Sequence, residues 1–398
     1  QGINSPKLRL VRTANFHGAQ MTGKVGLKVL ACDQLNQARK LDLGRNKLSG
    51  AFFKALRAAE SMRHLTHIYL GDATLSAGAC KGLVGDAVWA PTALGLNRAS
   101  LKKDGLRILL SSPIWATLKE LHLSGVGGYG SDDKKVAAAL AAASHINGAI
   151  ERLALNYNSE MTVEGFEALW DGGRFPQLSW LNLTSCQLSD RHLEILAEAT
   201  HLTNLRFLDV EDTHGGGPAI GRLLQAPHLE KLDTLHISGR HGAIAALAKS
   251  RIQPQELVVV YGFSDHDAVL DVLASDVLKR TTKLRFRMEG SYDGGVASDN
   301  HALSLKILAH PAMQGVEELY LGDAMISDEH LKLFLNSEHL GALKTMPLNT
   351  PYNVNPLSDK LLKQVGKAPH LHEMFRQRVQ REAKRLKRFP RPGEVPSS

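Results

Sequence analysis

Cysteine and histidine are the residues of this chain whose side chains could act as nucleophiles or metal ligands. The three cysteines, Cys32, Cys80 and Cys186, lie far apart and are odd in number, so they form neither a Cys-x-x-Cys pair nor a disulfide framework. The eighteen histidines contain no His-Glu-x-x-His motif, and no Gly-x-Ser-x-Gly nucleophile motif occurs. We therefore predict that the chain is not an enzyme and that it holds no metal and no cofactor.

Glycine-rich segments are the other candidates for chemistry, because such loops can surround a phosphate or a cation. The run Gly215-Gly216-Gly217-Pro218 lacks the Gly-x-x-x-x-Gly-Lys-Ser/Thr spacing of a phosphate-binding loop. Two insertions, residues 124–133 and 289–299, combine glycine, acid and tyrosine without the spacing of a calcium loop. We expect flexible insertions; a mobile ligand loop, or a cation site around Asp132 and Asp133, is the alternative.

The motif Leu-x-x-Leu-x-Leu recurs along almost the whole chain. It predicts the strands and helices that carry the cysteines, histidines and glycine-rich segments. Eight of the twelve intervals between its anchors are 26 to 28 residues long. A fixed period in that range predicts a leucine-rich-repeat solenoid, in which each repeat contacts only its neighbours. The anchors are Leu8, Leu41, Ile68, Leu94, Leu121, Leu153, Leu181, Leu208, Leu235, Leu257, Leu284, Leu319 and Met346.

One repeat reads as a short strand, a turn and a helix. In residues 178–188, Leu181 and Leu183 alternate with outward Trp180, as a strand requires. Cys186 then occupies a slot that Asn46 and Asn158 fill in other repeats, where an inward-turned polar group bonds unpaired backbone. We interpret Cys186 as a structural thiol. Helix starts follow, with N-caps predicted at Ser49, Ser76, Thr162, Ser189, Ser327 and Ser358 and stops at Pro227, Pro311 and Pro369.

The repeat resembles the ribonuclease-inhibitor-like class of leucine-rich repeats, and segments such as LLQAPHLEKLDTLHISG resemble its bacterial members. The resemblance covers residues 5–370 and implies an α/β solenoid shaped like a horseshoe. It implies about 13 strand–helix repeats, with a parallel sheet on the concave face and the helices outside. Repeats of this type serve many binding roles, and some act as GTPase-activating scaffolds, which is one alternative function here.

Composition indicates three regions and a cellular location. Residues 1–370 form the predicted solenoid, residues 371–389 a basic amphipathic helix that caps it, and residues 390–398 a disordered tail. The formal net charge is +8, of which the segment from Leu371 to Ser398 contributes +5. No apolar run approaches the length of a membrane span. Few, unpaired cysteines favour a reducing compartment, so we predict a cytoplasmic protein, unless a leader has been removed.

Outward positions of the strands form the candidate binding surface, because the inward positions already make the core. Trp180 and Phe207 occupy the same position in adjacent repeats and should stand about 5 Å apart. Rigid aromatics beside charges are typical of interface hot spots, so a protein partner on the concave face is our main hypothesis. The predicted partner-binding residues are His67, Tyr69, His122, Arg152, Trp180, Asn182, Phe207, Asp209, His236, Arg285, Arg287, Glu318 and Tyr320.

The basic C-terminal helix supports a second hypothesis. Its apolar residues, including Leu371, Met374, Phe375, Val379 and Leu386, repeat at helical spacing and predict a face that covers the last repeat. Its basic face could instead hold nucleic acid or an anionic surface, which would make the chain an electrostatic adaptor. The basic residues in question are Arg376, Arg378, Arg381, Lys384, Arg385, Lys387 and Arg388.

Overall fold

A computed structural model of the protein describes most of the chain. The described residues are 11–32, 35–101, 104–126, 135–146, 148–159, 161–239, 242–288, 297–322, 326–348 and 357–388. They belong to two compact units, an N-terminal unit (Gln1–Gly215 with Ala226–Leu229) and a C-terminal unit (Gly216–Gln225 with Glu230–Ser398). The predicted insertions at residues 124–133 and 289–299 and the tail at 390–398 fall mainly or wholly outside the described residues.

The N-terminal unit contains a parallel sheet backed by helices. Its strands, each paired in parallel with the next, are β1 (Thr13–Asn15), β2 (Lys40–Asp42), β3 (His67–Tyr69), β5 (Ala93–Gly95), β7 (Glu120–His122), β8 (Arg152–Ala154), β9 (Trp180–Asn182) and β10 (Phe207–Val210). A separate parallel pair joins β4 (Thr74–Leu75) to β6 (Ser100–Leu101). The helices are α1 (Gly23–Leu30), α2 (Gly50–Ala58), α3 (Ala77–Leu83), α4 (Gly105–Leu110), α5 (Lys135–Ala142), α6 (Val163–Trp170) and α7 (Asp190–Glu198).

The C-terminal unit repeats this arrangement with longer strands. Its parallel strands are β11 (Thr234–Ser238), β12 (Glu256–Tyr261), β13 (Lys283–Met288) and β14 (Glu318–Leu321). A single parallel bridge, Glu318 to Thr345, follows next to the predicted Met346 anchor. The helices are α8 (Gly217–Leu224), α9 (Ala243–Ala248), α10 (His266–Ala274), α11 (Ala297–Ala309), α12 (Asp328–Asn336), α13 (Asp359–Val365) and α14 (Glu373–Arg388).

Strand register confirms the predicted anchors with one exception. Leu121, Leu153 and Leu181 lie opposite one another in adjacent strands, and each is fully buried. At the beginning of the sheet, however, Ala14 lies opposite Leu41. The leucine motif predicts this anchor at Leu8, and that prediction is wrong because β1 carries alanine where other strands carry leucine. The first interval is therefore 27 residues and matches the period.

Turns after the strands are closed by the predicted inward polar residues. Asn46 accepts a hydrogen bond from the Met21 N–H at 2.8 Å and donates to the carbonyls of Phe16, Leu43 and Gly44. Asn158 donates to the carbonyls of Leu123 and Leu155. The Cys186 thiol lies 3.1 Å from the Leu155 carbonyl in the equivalent slot. Backbone groups left unpaired at strand ends thereby find hydrogen-bond partners, as buried groups require.

Helix starts also follow the sequence prediction. The hydroxyls of Ser49, Ser76, Thr162 and Ser358 accept backbone N–H groups of the first helical turn at 3.1 to 3.4 Å. Helices α8, α11 and α13 end shortly before Pro227, Pro311 and Pro369, because proline cannot continue a helix. The repeat with the short interval before Leu257 contains α9, which has six residues.

Each unit is therefore a stack of strand–turn–helix repeats around an apolar core. Leucine anchors and the buried faces of the helices supply that core, with Trp115, Phe166 and Phe286 among its largest buried side chains. Burial of this kind is the main favourable term in folding. Among the residues described here, no helix has both the length and the apolar character needed to span a bilayer.

Candidate functional site

The register of the N-terminal unit arranges the predicted surface residues in two rows on the outward strand face. The first row runs Lys40, His67, Ala93, Glu120, Arg152, Trp180 and Phe207, and the second runs Asp42, Tyr69, Gly95, His122, Ala154, Asn182 and Asp209. Most of these side chains are half-buried, but Asp209 is buried and accepts the Glu211 N–H at 3.1 Å. Neighbours in a row stand one strand spacing apart, about 4.8 Å.

Three consecutive residues of the first row form a stack, which we call the Arg–Trp–Phe stack (Arg152, Trp180, Phe207). The Trp180 and Phe207 rings lie 4.7 Å apart and 17° from parallel, which confirms their predicted spacing. The Arg152 guanidinium lies over the Trp180 ring, 4.5 Å from its centroid. Stacking and cation–π attraction hold each long side chain against its neighbour. The stack therefore forms an apolar and cationic surface. Its side-chain conformations are already restricted in the absence of a partner.

A polar cluster occupies the same face beside the stack. His122 lies 3.6 Å from Glu120, and His67 and Tyr69 stand 6.3 Å apart by ring centroids. A Cβ at Gly95 would lie 2.6 Å from the Tyr69 ring, so only glycine admits this ring position. Burial lowers the pKa of both His67 and His122, and burial with the charges of Glu120 and Asp42 raises the pKa of Tyr69. Each of these shifts favours the uncharged form of the group at neutral pH.

The predicted surface residues of the C-terminal unit form a separate set. His236, Val258, Arg285 and Tyr320 lie in one row across β11 to β14, and Val258 is a member that the sequence prediction missed. Arg285 pairs with Glu256 at 3.3 Å, and Glu318 pairs with Lys283 at 3.4 Å. Arg285, Arg287 and Tyr320 are exposed. Two of the predicted partner-binding residues, Arg285 and Glu318, therefore already form ion pairs within the unit.

Helix α14 combines a buried face with an exposed basic face. Phe375 and Val379 are fully buried, and the Phe375 ring lies 5.0 Å from Phe334 of α12. Met374, which was predicted on the apolar face, is instead 55% exposed, because it lies to one side of the Phe375–Val379 line. Of the predicted basic residues, Arg376 is half-buried and Arg378, Arg381, Lys384 and Arg385 are exposed. The side chains of Lys387 and Arg388 lie outside the described residues.

A groove of about 280 Å³ separates α13 from α14. Its lining includes three lysines, of which Lys384 belongs to the basic helix while Lys363 and Lys367 come from α13 and the turn after it. Lys363 also pairs with Asp359 at 2.7 Å. The sequence prediction assigned the basic surface to the last helix alone. Lys363 and Lys367 are four residues apart, a spacing that places two side chains on one helix face, and it could have identified these two lysines as part of the basic surface.

Two of the three cysteines, Cys80 and Cys186, have no reactive thiolate at neutral pH. All three are buried, and no disulfide joins cysteines among the residues that the structure describes. Burial raises the pKa of Cys186 to about 12 and that of Cys80 to about 11, so neither carries a thiolate at neutral pH. These two side chains are packing elements.

Parallel strands in register, inward asparagines at the strand ends and a helix after each strand decide the fold. It is a leucine-rich-repeat solenoid. Searches against protein-family models and against curated proteins found no match. Among solved structures, an internalin (inlF) from Listeria monocytogenes is similar over 92% of this chain and 80% of its own, with 13% identity and a TM-score of 0.39.

Proposed function

We propose that the protein is a non-enzymatic recognition module of the ribonuclease-inhibitor-like type that binds a protein partner on its outward strand face. The Arg–Trp–Phe stack carries this proposal. Inward leucines already complete the core, so the stack is not needed to fill it. Large, pre-ordered aromatic side chains next to an arginine have the composition and rigidity of interface hot spots.

The remaining predicted residues of the face have supporting roles in this proposal. His67, Tyr69 and His122 lie on one side of the stack and Asn182 lies on β9 beside Trp180, and in the proposal they act as polar rim residues. The cysteines are buried and form no disulfide within the described residues, which supports a reducing compartment, and we extend the proposal to a cytoplasmic location. Arg285, Arg287, Glu318, Tyr320 and His236 of the C-terminal unit would form a second contact region for the same kind of partner.

Removing both aromatic rings of the stack tests the proposal. We expect Trp180→Ala combined with Phe207→Ala to cost at least about 2 kcal/mol of partner affinity, because the partner would lose the hot spot. The measurement is capture of binding proteins from native lysate by the immobilised full chain, followed by affinity measurement on the captured protein. Tyr157→Ala is the matched control, since Tyr157 is 62% exposed in the same unit and lies in a turn beyond β8. Equal capture by the double variant and by wild type contradicts the proposal.

A second candidate, an electrostatic adaptor that binds nucleic acid or an anionic surface, is favoured by Lys363 and Lys367 facing the basic helix. Neutralising Arg378, Arg381, Lys384 and Arg385 to glutamine would then abolish capture, and capture by wild type would fall steeply as salt rises. Our main proposal predicts instead that capture changes little in both tests. The matched control neutralises four bases elsewhere in the C-terminal unit: Lys231, Lys249, Arg251 and Lys306. A loss confined to the α14 variant would establish the adaptor function.

A further inference from the structure

The Arg–Trp–Phe stack carries more hydrogen-bond donors than the structure uses. Arg152 contacts the Trp180 ring, and within the described part of the chain it has neither an ion-pair partner nor a hydrogen-bond acceptor. Glu120 lies opposite Arg152 in the neighbouring strand, but its carboxylate contacts His122 at 3.6 Å instead. Because the guanidinium lies over the ring, its planar N–H edges remain available to a ligand.

Two further donors lie on the neighbouring strand β9. The indole N–H of Trp180 has no acceptor among the residues that the structure describes, and Trp180 lies opposite Arg152 in register. Asn182 accepts the Thr184 N–H through its side-chain oxygen at 2.9 Å, which orients the amide and leaves its NH₂ group without a described acceptor. Asn182 lies two residues beyond Trp180 on the same face of β9. Guanidinium, indole and amide thus offer donors on two adjacent strands.

We propose that this donor set recognises a carboxylate of the partner protein, so that the partner presents an Asp or Glu side chain next to an apolar residue. Arginine binds carboxylates through two parallel N–H···O bonds. The indole N–H and the amide NH₂ are also hydrogen-bond donors, so they suit the same acceptor. The Trp180–Phe207 pair supplies the apolar contact beside it. Stacking already restricts the Arg152 side chain, so less conformational entropy is lost on binding. This inference rests on the proposed function and names the chemistry of its partner.

The test uses the immobilised full-length chain and a displayed library of random linear peptides as the probe. Peptides retained by wild type are expected to be enriched in Asp or Glu beside an aromatic or aliphatic residue. Individual peptides should bind Arg152→Gln about tenfold to a hundredfold more weakly, as for loss of a charge-assisted hydrogen bond. Arg63→Gln, which removes an exposed arginine of the same unit away from the stack, should bind them as wild type does.

The outcomes separate this inference from the proposed function. Absence of acidic enrichment on wild type, including absence of any retained peptide, overturns the inference, as does unchanged binding by Arg152→Gln. Equal weakening by Arg152→Gln and Arg63→Gln also overturns it, because the effect would then be one of net charge. If lysate partners are lost on Trp180→Ala with Phe207→Ala but kept on Arg152→Gln, the recognition function stands and the acidic partner does not.

Discussion

Phe375→Ala is expected to lower the free energy of unfolding of the C-terminal unit by about 3–5 kcal/mol, the cost typical of a phenylalanine deleted from a core. Phe375 is fully buried and lies against Phe334, so its loss leaves a cavity between α14 and α12. An open end of a repeat array exposes its core, and we propose that α14 covers that end. The measurement is urea unfolding followed by far-UV circular dichroism, with proteolysis of the C-terminal region as an independent readout.

The neighbouring methionine provides the control. Met374 is 55% exposed on the same helix, so Met374→Ala should change the free energy of unfolding by less than about 0.5 kcal/mol. Equal effects of the two variants would show that α14 does not depend on its Phe375 contact. A stable Phe375→Ala protein that loses its partners would give the basic helix a binding role rather than a capping role.

Local patterns of the sequence predicted most of this fold for a physical reason. A buried leucine, an inward asparagine and an N-capping serine each satisfy a requirement within one repeat, and the repeat recurs at a fixed period. The Asn46 and Asn158 hydrogen bonds and the Ser49 cap therefore lie where the sequence placed them. The spacing of Trp180 and Phe207 followed in the same way, because strand register fixes it.

Other features depend on contacts that no repeat pattern encodes. Ala14 serves as an anchor because the pairing of β1 with β2 places it opposite Leu41, not because of its residue type. Met374 is exposed because the packing of α14 buries Phe375 and Val379 instead. Arg152 lies over Trp180, an arrangement set by rotamers rather than by spacing.

A repeated pentapeptide extends the capping pattern beyond its serines. Ser-Asp-x-His-Leu occurs at both residues 189–193 and residues 327–331, and its histidine completes a reciprocal cap at two helix starts. In α12, the Ser327 N–H donates to Nδ1 of His330 at 3.1 Å. We therefore assign the proton of His330 to Nε2, which donates to the Ser304 hydroxyl at 2.8 Å, and that hydroxyl donates to the His301 carbonyl.

The equivalent cap of α7 has the same arrangement of hydrogen-bond donors and acceptors. The Ser189 N–H donates to Nδ1 of His192 at 3.2 Å, and Nε2 lies 3.1 Å from the Met161 carbonyl, to which it donates. Because Nδ1 accepts a hydrogen bond from a backbone N–H in both caps, each cap requires a neutral imidazole.

Acidification is therefore expected to destabilise the C-terminal unit through His330. Burial, with a smaller contribution from His301, lowers the pKa of His330 from 6.5 to about 4. Because the folded pKa lies below the unfolded value, the unfolded state binds the proton first, and the stability present above pH 6.5 is lost as pH falls toward 4. The full loss is about 3 kcal/mol, of which about 2 kcal/mol occurs between about pH 7 and pH 5.

Two variants separate this titration from packing. His330→Asn should be less stable at neutral pH. Between about pH 7 and pH 5, however, the slope of its free energy of unfolding against pH should be smaller than that of wild type, because about one proton fewer is taken up on unfolding. Ser304→Ala removes the hydroxyl that accepts from Nε2 yet keeps the titrating ring, so it should be less stable while retaining the wild-type slope. Urea titrations at a series of pH values measure both. A wild-type slope in His330→Asn would show that other groups, not this cap, set the acid sensitivity of the unit.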